Sequence, residues 1–371
     1  MKRFGKIAIW SLCFATLTLS CTKVEQAESA QAQICYNVVQ YTQTKVAGEY
    51  PTNVPFVSSA FYLEDGKTWA ANHSEAKAYI ENATISFNGT NWYDADHAYY
   101  WPRAGKLTFF SYSPKAIKDY TQIEIDRNNG ITIPDWDVDS HQNVDIMIAD
   151  VQTDQTANQT GGTHKGVPTI FRHKLSQIVG FEFNTFEDYA HGHDGTSKPY
   201  QNKDFVFIVK EISIGNLIQK GSYYSSFDVG TAAAKIGAWI PDESPDAKKS
   251  YTWYKNDEGT KIIYSTTSMT PIDGKALMIL PQTFANPGKA DPSTVPHLRL
   301  VYTQRSYNAS SYSDTEKTTY VSLYDLFQSS ENKINLNRQI KVRITFNLQA
   351  NLITWAPDQD DWSDSEFNVI I

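Results

Sequence analysis

The chain has 371 residues, a length typical of two domains. Its formal net charge of −8 at pH 7 argues against a nucleic-acid-binding protein, because such proteins need a basic surface. The 22 tyrosines and 18 phenylalanines favour β-structure, since flat rings pack well on half-buried pleated surfaces.

Residues 1–20 predict a secretory signal peptide. Lys2, Arg3 and Lys6 form a short basic region, and the apolar run IAIWSLCFATLTLS follows it. This run is too short to span a bilayer comfortably; a buried N-terminal helix is the alternative. The run ends at Cys21 in a stretch that resembles a bacterial lipobox, with Thr18 where leucine is usual. The lipobox implies that the signal peptide is removed and that Cys21 is acylated.

An acylated Cys21 predicts a lipoprotein anchored in a membrane by its lipid. Stable anchoring needs about two lipid signals, and a lipoprotein cysteine supplies them. Thr22 and Lys23 follow in place of an aspartate, which favours the outer membrane of a Gram-negative cell. Cys13 leaves with the signal peptide, so the mature chain keeps no pair of thiols for an intramolecular disulfide. Cys35 is predicted to be a small buried hydrophobic residue.

Residues 21–32 predict a polar tether, and a β-strand follows it. The stretch QICYNVVQYT, residues 33–42, alternates apolar and polar side chains as a half-buried strand does. The alternation places four side chains on one face: Ile34, Tyr36, Val38 and Gln40.

Many further short strands are predicted along the chain, separated by turn residues. The clearest lie in VSSAFYLE, KLTFFSYSP, ITIPDW, VDIMIADV, TIFRHKLSQIVGFEF, FVFIVKEISIGNLI, HLRLVYTQRSY and QIKVRITFNLQANLITW. Helical periodicity is nearly absent, with SEAKAYIENA and a single turn around SLYDLF as the nearest cases. This pattern predicts an all-β fold of the sandwich or barrel type. The polar segment 152–166 is the clearest long loop of the first half.

Seven motifs follow one another along the chain: YYWPRAGKLTFFSYSP, VDIMIAD, IFRHKLSQIVGFEF, ISIGNLIQKGSY, LMILPQTF, INLNRQIKVRITFNL and the region of Trp362. Together they resemble the fimbrillin-like (Mfa-like) surface lipoproteins of Bacteroidetes. The resemblance implies two tandem transthyretin-like β-sandwich domains, over residues 33–167 and 168–371. It also implies a non-enzymatic subunit of a cell-surface fimbria, in an accessory, anchor or shaft position, that contributes to adhesion. Its expected partners are other fimbrial subunits and a host or bacterial surface ligand.

The same resemblance raises the question of whether the first strand is permanent. In polymerising members a protease cuts the loop after this strand, and a strand of a neighbouring subunit fills the groove by β-strand addition. Here the displaceable strand is 33–42, and the candidate cut lies between Lys45 and Val46. No arginine occurs between Arg3 and Arg103, so an arginine-specific protease cannot release the strand. Retention of strand and lipid, as in anchor subunits, is the alternative.

The C-terminus raises a related question. Its last five residues, FNVII, are too short to fill a groove alone. In one interpretation, NLITW and a detached FNVII form a donor arm. In the other, the end of the chain is a final strand packed on its own domain. Both interpretations fit a surface subunit.

Acidic clusters are the candidates for a metal site. The stretch DQDDWSDSE, residues 358–366, holds five acidic residues but lacks the glycine of a calcium loop, so a solvated acidic turn is predicted. A second, weaker cluster contains Asp135, Asp137, Asp139 and His141. We therefore expect neither a bound metal nor a cofactor.

No catalytic motif stands out in the sequence. His173 is a candidate base, but no motif serine or cysteine stands beside it, so a structural role is predicted. Phosphate-loop, dinucleotide and zinc motifs do not occur. The alternative to a fimbrial subunit is a glycan-binding outer-membrane lipoprotein. In that interpretation, exposed aromatic side chains stack on sugar rings: Trp69, Trp92, Trp136 and Trp253.

Overall fold

The computed structural model describes residues 32–40, 50–157, 166–185, 205–225, 237–262, 267–307, 311–347 and 352–361. The predicted signal peptide and most of the tether lie outside the described residues, as do Cys21, Lys45, Val46 and the final FNVII. No helix in the described part of the chain has the length and apolar character needed to cross a membrane.

The described residues form 23 β-strands, two short α-helices and several short 3₁₀ helices, so the predicted all-β fold class is confirmed. The first twelve strands are β1 (Tyr36–Gln40), β2 (Phe56–Leu63), β3 (Lys77–Phe87), β4 (Trp92–Asp94), β5 (Lys106–Ser113), β6 (Glu124–Asp126), β7 (Gly130–Asp137), β8 (Met147–Ala149), β9 (Gln152–Gln155), β10 (Val167–His173), β11 (Ser176–Thr185) and β12 (Phe205–Ile218). The remaining strands are β13 (Lys220–Tyr224), β14 (Ala238–Pro241), β15 (Lys248–Lys261), β16 (Thr267–Met269), β17 (Leu277–Ile279), β18 (Gln282–Thr283), β19 (His297–Tyr307), β20 (Tyr312–Ser322), β21 (Lys333–Ile334), β22 (Arg338–Asn347) and β23 (Leu352–Asp361). The α-helices are α1 (Trp69–Asn72) and α2 (Leu323–Leu326).

The two stretches that come nearest to helical periodicity have different outcomes. The turn predicted in SLYDLF is α2, whose first turn is capped by the Ser322 hydroxyl accepting a hydrogen bond from the Asp325 backbone N–H. The periodicity of SEAKAYIENA does not produce a helix, because most of it belongs to β3, which pairs with β2 and β4. Sheet pairing and burial outweigh a weak local helix propensity.

The largest sheet has eight strands and returns to its starting point. Its order is β2-β3-β4-β1-β10-β8-β5-β9, and β2 also pairs with β5. Because of this extra pairing, seven of the strands form a ring in which β1 stands between β4 and β10. Phe109 and Phe110, neighbours on β5, point to opposite faces of this sheet and belong to two different hydrophobic clusters.

A second hydrophobic core lies in the later part of the chain. It packs a five-stranded sheet, which contains β11, β22 and β23, with a four-stranded sheet of order β15-β12-β19-β20. Phe207 of β12 and Phe346 of β22 stack with ring centres 4.3 Å apart. The two sheets therefore bury their apolar faces against each other, as sheets with one apolar face do.

One smaller sheet combines strands from both halves of the chain. Its order is β14-β13-β7-β6, and Tyr223 of β13 lies opposite Ile133 of β7. The domain border predicted between residues 167 and 168 falls within β10, which pairs with β1 and β8. All described residues belong to one compact unit, Ala32–Ile371. The division into two transthyretin-like domains stays a prediction.

Lys174 is a buried lysine immediately after β10. Its side chain is 1% exposed, and its ammonium group lies 5.8 Å from the centre of the Tyr223 ring. Its carbonyl oxygen accepts a hydrogen bond from the Trp239 indole N–H at 2.5 Å. Burial disfavours the charged form and lowers the pKa of Lys174 to about 7, although Asp150 opposes this shift.

We expect Lys174 to make the protein more stable as the pH rises from 7 to 9. Folded Lys174 loses its proton near pH 7, whereas the unfolded lysine keeps its proton up to about pH 10.5. The unfolded state therefore binds more protons in this interval, and the free energy of unfolding rises by about 2 kcal/mol. Urea unfolding at several pH values, with Lys174→Met as the control, measures the difference. Parallel pH profiles for the two proteins would contradict the prediction.

Candidate functional site

The first strand lies in a groove between two other parts of the chain. On one side β1 runs parallel to β10, with register pairs from Tyr36–Val167 to Gln40–Phe171. On the other side Tyr36 pairs with Trp92 of β4. Just before β1, the Ile34 backbone N–H donates to the Tyr99 carbonyl at 2.8 Å, so the segment is held on both sides around residues 34–36, whereas residues 37–40 pair with β10.

Alternate side chains of this segment point into the ring of strands. Ile34, Tyr36 and Gln40 are 3%, 4% and 2% exposed, and Val38 packs against the same cluster while partly buried. The structure thus brings the four residues of the candidate displaceable strand to one face. The prediction for Cys35 is wrong, because it lies on the opposite face and is partly exposed.

The floor of the groove is aromatic. The Tyr36 ring meets the rings of Phe56 and Phe109 edge-on, at centroid distances of 5.5 and 5.9 Å. Tyr50 stacks on Phe171 at 4.9 Å, and Phe56 also contacts Phe171 at 5.2 Å. Such ring pairs add to the free energy of apolar burial. The strand therefore covers a surface that would be strongly apolar without it.

A polar chain closes one end of the groove. The Gln40 amide nitrogen lies 2.8 Å from His173 Nε2, and His173 Nδ1 lies 2.7 Å from Asp145 Oδ2. Because the amide N–H donates to Nε2, the imidazole donates through Nδ1–H to the carboxylate. His173 is 1% exposed, so this polar chain sits among apolar neighbours and links the first strand to β10.

Gly166 lets the backbone of the first strand approach β10 closely. Its φ of +115° lies in a region that side chains disfavour. A Cβ added there would lie 2.8 Å from the Cys35 carbonyl oxygen and from the Tyr36 carbonyl carbon. The Val167 N–H donates to that same Cys35 oxygen at 2.8 Å. Glycine is therefore required where the two strands meet.

The residues proposed for sugar stacking do not form a glycan surface. Trp69, Trp92, Trp136 and Trp253 are 1%, 6%, 1% and 3% exposed. The expectation of exposed tryptophans is wrong because these large rings fill the hydrophobic clusters.

Residues of both acidic clusters take part in structural contacts. Asp358–Asp361 belong to β23 and are paired with β22, so the predicted acidic turn is wrong for these residues. Asp139 accepts a hydrogen bond from the Tyr251 hydroxyl at 2.8 Å, and the Asp137 carbonyl interacts with the His141 ring. Among the described residues, no group of three or more His, Cys, Asp or Glu side chains is placed to hold a metal ion.

The C-terminal strand β23 pairs along its whole length with β22, from Asn347–Leu352 to Arg338–Asp361. In the described part of the chain it stands at the end of its sheet. Ile353 and Trp355 are partly buried against the second core. Residues 352–355 are therefore part of a strand that packs on the second core.

Comparison with known proteins assigns the family. The fimbrillin-like family profile matches residues 61–355. The chain belongs to the fimbrillin-like family. This fimbrillin-like protein shares its fold with a crystal structure of a fimbrial protein from Bacteroides vulgatus. The two are 14% identical with a TM-score of 0.54, and the alignment covers 89% of this chain and 99% of the other.

Two further solved structures from Porphyromonas gingivalis resemble this fimbrillin-like protein more distantly. The fimbrial anchor protein Mfa2 is 12% identical, with a TM-score of 0.32 and coverage of 89% of this chain and 98% of its own. The C-terminally truncated tip fimbrial protein Mfa3 is 10% identical, with a TM-score of 0.32 and coverage of 83% and 94%. None of the curated proteins compared with the chain matches it.

Sequence reasoning did not find the partners of Gln40. The alternation in the first strand placed Gln40 on the inner face. An amide is unusual on a buried face, and its presence there was the one sequence feature that indicated a buried hydrogen-bond partner. Gln40 and His173 are 133 positions apart in the chain, and His173 and Asp145 are 28 positions apart. Such long-range pairs follow from the fold and not from local pattern.

We expect Gly166→Ala to loosen β1. Gly89 provides the control, because its φ is +96° and a Cβ there meets no atom within 4 Å. Gly89→Ala therefore reports backbone strain, whereas Gly166→Ala adds the collision with the first strand. The free energy of unfolding should fall by about 1–3 kcal/mol more in Gly166→Ala. Hydrogen exchange of the β1 amides should also accelerate; equal behaviour of the two variants would contradict this account.

Proposed function

We propose that this fimbrillin-like protein is a subunit of a cell-surface fimbria, and that its subunits join by exchange of β-strands. The observation that carries the proposal is the position of β1, which covers the aromatic floor of a groove and pairs with β10. Family membership supports the fimbrial part of the proposal. The shortness of β1, which has five residues, supports strand exchange as the mode of assembly.

The energetics of the groove favour replacement over an empty state. Without β1, the rings of Phe56, Phe109 and Phe171 would face water, and one side of β10 would lose its hydrogen-bonding partner. Exposed apolar patches and unpaired strand edges promote association with other chains. A strand from another subunit restores the ladder through its backbone and the packing through alternate side chains.

Processing decides the place of the subunit in the fibre. An acylated Cys21 and an intact first strand make an outer-membrane anchor, since lipid and groove then belong to one continuous chain. A cut between Lys45 and Val46 frees the strand and opens the groove to a neighbour. The absence of arginine between Arg3 and Arg103 favours an accessory or anchor subunit that contributes to adhesion. We further propose two tandem β-sandwich domains for this subunit.

The glycan-binding alternative loses its basis. It depended on tryptophans available for stacking on sugar rings, and the four candidate tryptophans are buried. Aromatic side chains of this kind stabilise the cores instead.

Mass spectrometry of the mature protein from the cell surface tests the proposed processing. An anchor subunit is expected to begin with a blocked, acylated Cys21 and to contain the whole first strand. A polymerising subunit is expected to begin at Val46. Material that begins at another residue and carries no lipid would contradict both forms.

Two variants serve as controls for this measurement. Cys21→Ala should abolish labelling by a fatty-acid probe, and continued labelling would refute the lipobox. Lys45→Gln should prevent a cut after residue 45 while leaving acylation unchanged. Electron microscopy of both variants relates the processing state to the presence of fibres on the cell.

A further inference from the structure

We propose that the end of the fold where the tether enters docks on a lipid surface through the exposed rings of Tyr79 and Tyr100. These two rings, together with the partly buried ring of Tyr62, form what we call the tyrosine patch. The inference rests on the proposed acylation of Cys21 and concerns the subunit that keeps its first strand. It adds which surface of that subunit contacts the membrane.

The tyrosine patch lies where the described chain begins. Gln33 forms an antiparallel β-bridge with Tyr100, and the Trp101 backbone N–H donates to the Ala32 carbonyl at 3.0 Å. The Tyr79 hydroxyl donates to the Tyr100 carbonyl at 2.6 Å. Both exposed tyrosines therefore lie beside the point where the predicted tether joins the fold.

The chemistry of the two rings suits the headgroup layer of a bilayer. Tyr79 is 36% exposed and Tyr100 is 45% exposed, although both are large aromatic residues. The Tyr79 hydroxyl already has an acceptor within the protein, so its ring leaves water without losing that hydrogen bond. Side chains with an apolar body and a polar tip favour the boundary between lipid and water. The patch therefore gains free energy by contact with lipid.

The tether limits how far this end of the fold can stand from the membrane. Residues 21–32 span at most about 40 Å even when fully extended, by standard backbone dimensions. A lipid on Cys21 therefore keeps the tyrosine patch at a high local concentration near the bilayer. Under this condition a weak contact is sufficient to hold the patch on the surface.

The patch is built on paired strands and a packed turn. Tyr79 lies on β3 and Tyr62 on β2, and their ring centres are 6.4 Å apart. A Cβ added at Gly105 would lie 2.5 Å from the Tyr62 ring, so the turn that follows Tyr100 packs closely on that ring. The Gly105 N–H also donates to the Asp65 carboxylate at 2.8 Å. Because the rings are held in place in advance, contact with lipid costs little further ordering.

The charged residues next to the two rings in the sequence offset one another. Lys77 forms an ion pair with Glu64 at 3.4 Å. Glu81 and Arg103 are both exposed and carry opposite charges. A surface without net charge is not attracted to anionic lipids over a distance, so the rings supply the contact. We therefore expect salt to have little effect on it.

Partition of a singly lipidated chain into vesicles tests this inference. The mature chain from residue 21, with Cys35→Ser, is coupled through the Cys21 thiol to one saturated alkyl chain carried by a maleimide. One such chain gives only marginal and reversible membrane binding, so a second contact is measurable as stronger partition. The vesicles contain phosphatidylethanolamine and phosphatidylglycerol, and their sedimentation measures the bound fraction of protein.

We expect the double variant Tyr79→Ser with Tyr100→Ser to partition at least about fivefold more weakly, because the two rings no longer leave water on binding. Tyr224→Ser is the matched control, since Tyr224 is 44% exposed and lies on β13 in another sheet. This control should partition like the unsubstituted chain at low and high salt. Equal partition of the double variant and the control overturns the inference, and is the result expected if the patch contacts a protein instead.

Hydroxyl-radical footprinting provides a second measurement that needs no substituted tyrosine. When the alkylated chain is bound to vesicles, oxidation of Tyr79 and Tyr100 should slow relative to the same chain without the alkyl group in solution. Oxidation of Tyr224 should not change. Unchanged oxidation of all three rings overturns the inference, even if the double variant fails to fold.

The coupled alkyl chain separates this inference from the proposed function. It replaces cellular acylation, so the partition experiment gives a result whether or not cells acylate Cys21. Weaker partition of the double variant, with a surface protein that carries no lipid, supports the patch and contradicts the proposed anchor. Acylated Cys21 on the cell, with equal partition of all variants, supports the anchor and overturns the patch.

Discussion

The ladder between β1 and β10 is the interaction on which the eight-stranded sheet depends. The ladder runs from Tyr36–Val167 to Gln40–Phe171. Together with the pairing of β2 with β5, it joins seven strands of this sheet into a ring. The strand is only five residues long, yet it covers the rings of Phe56, Phe109 and Phe171. This short strand therefore covers apolar surface and a strand edge that would otherwise be exposed.

Two kinds of force act in the same groove and have different consequences. The aromatic floor supplies non-directional stabilisation that many apolar strands could share. The chain from Gln40 through His173 to Asp145 is directional, so it favours the register in which Gln40 lies against His173. The rings therefore stabilise the packed first strand, and the polar end favours its observed register.

Local sequence pattern predicted much of the architecture and part of the site. The alternation in 33–42 identified the inner face of the first strand, and the single turn at SLYDLF is α2. The pattern was wrong where tertiary contacts outweigh local preference. Asp358–Asp361 extend β23 in place of the predicted acidic turn. Pairing with the neighbouring strand β22 decided their conformation.

The sequence alone determined the all-β class, the fimbrillin-like family and the face of the first strand, because each depends on residues close together or on motifs in order. Tertiary structure decided the rest. It buried the four tryptophans, joined β7 to β13 across the long polar segment, and brought His173 to Gln40. These contacts join residues far apart in the chain, and no local periodicity encodes which distant strands lie side by side.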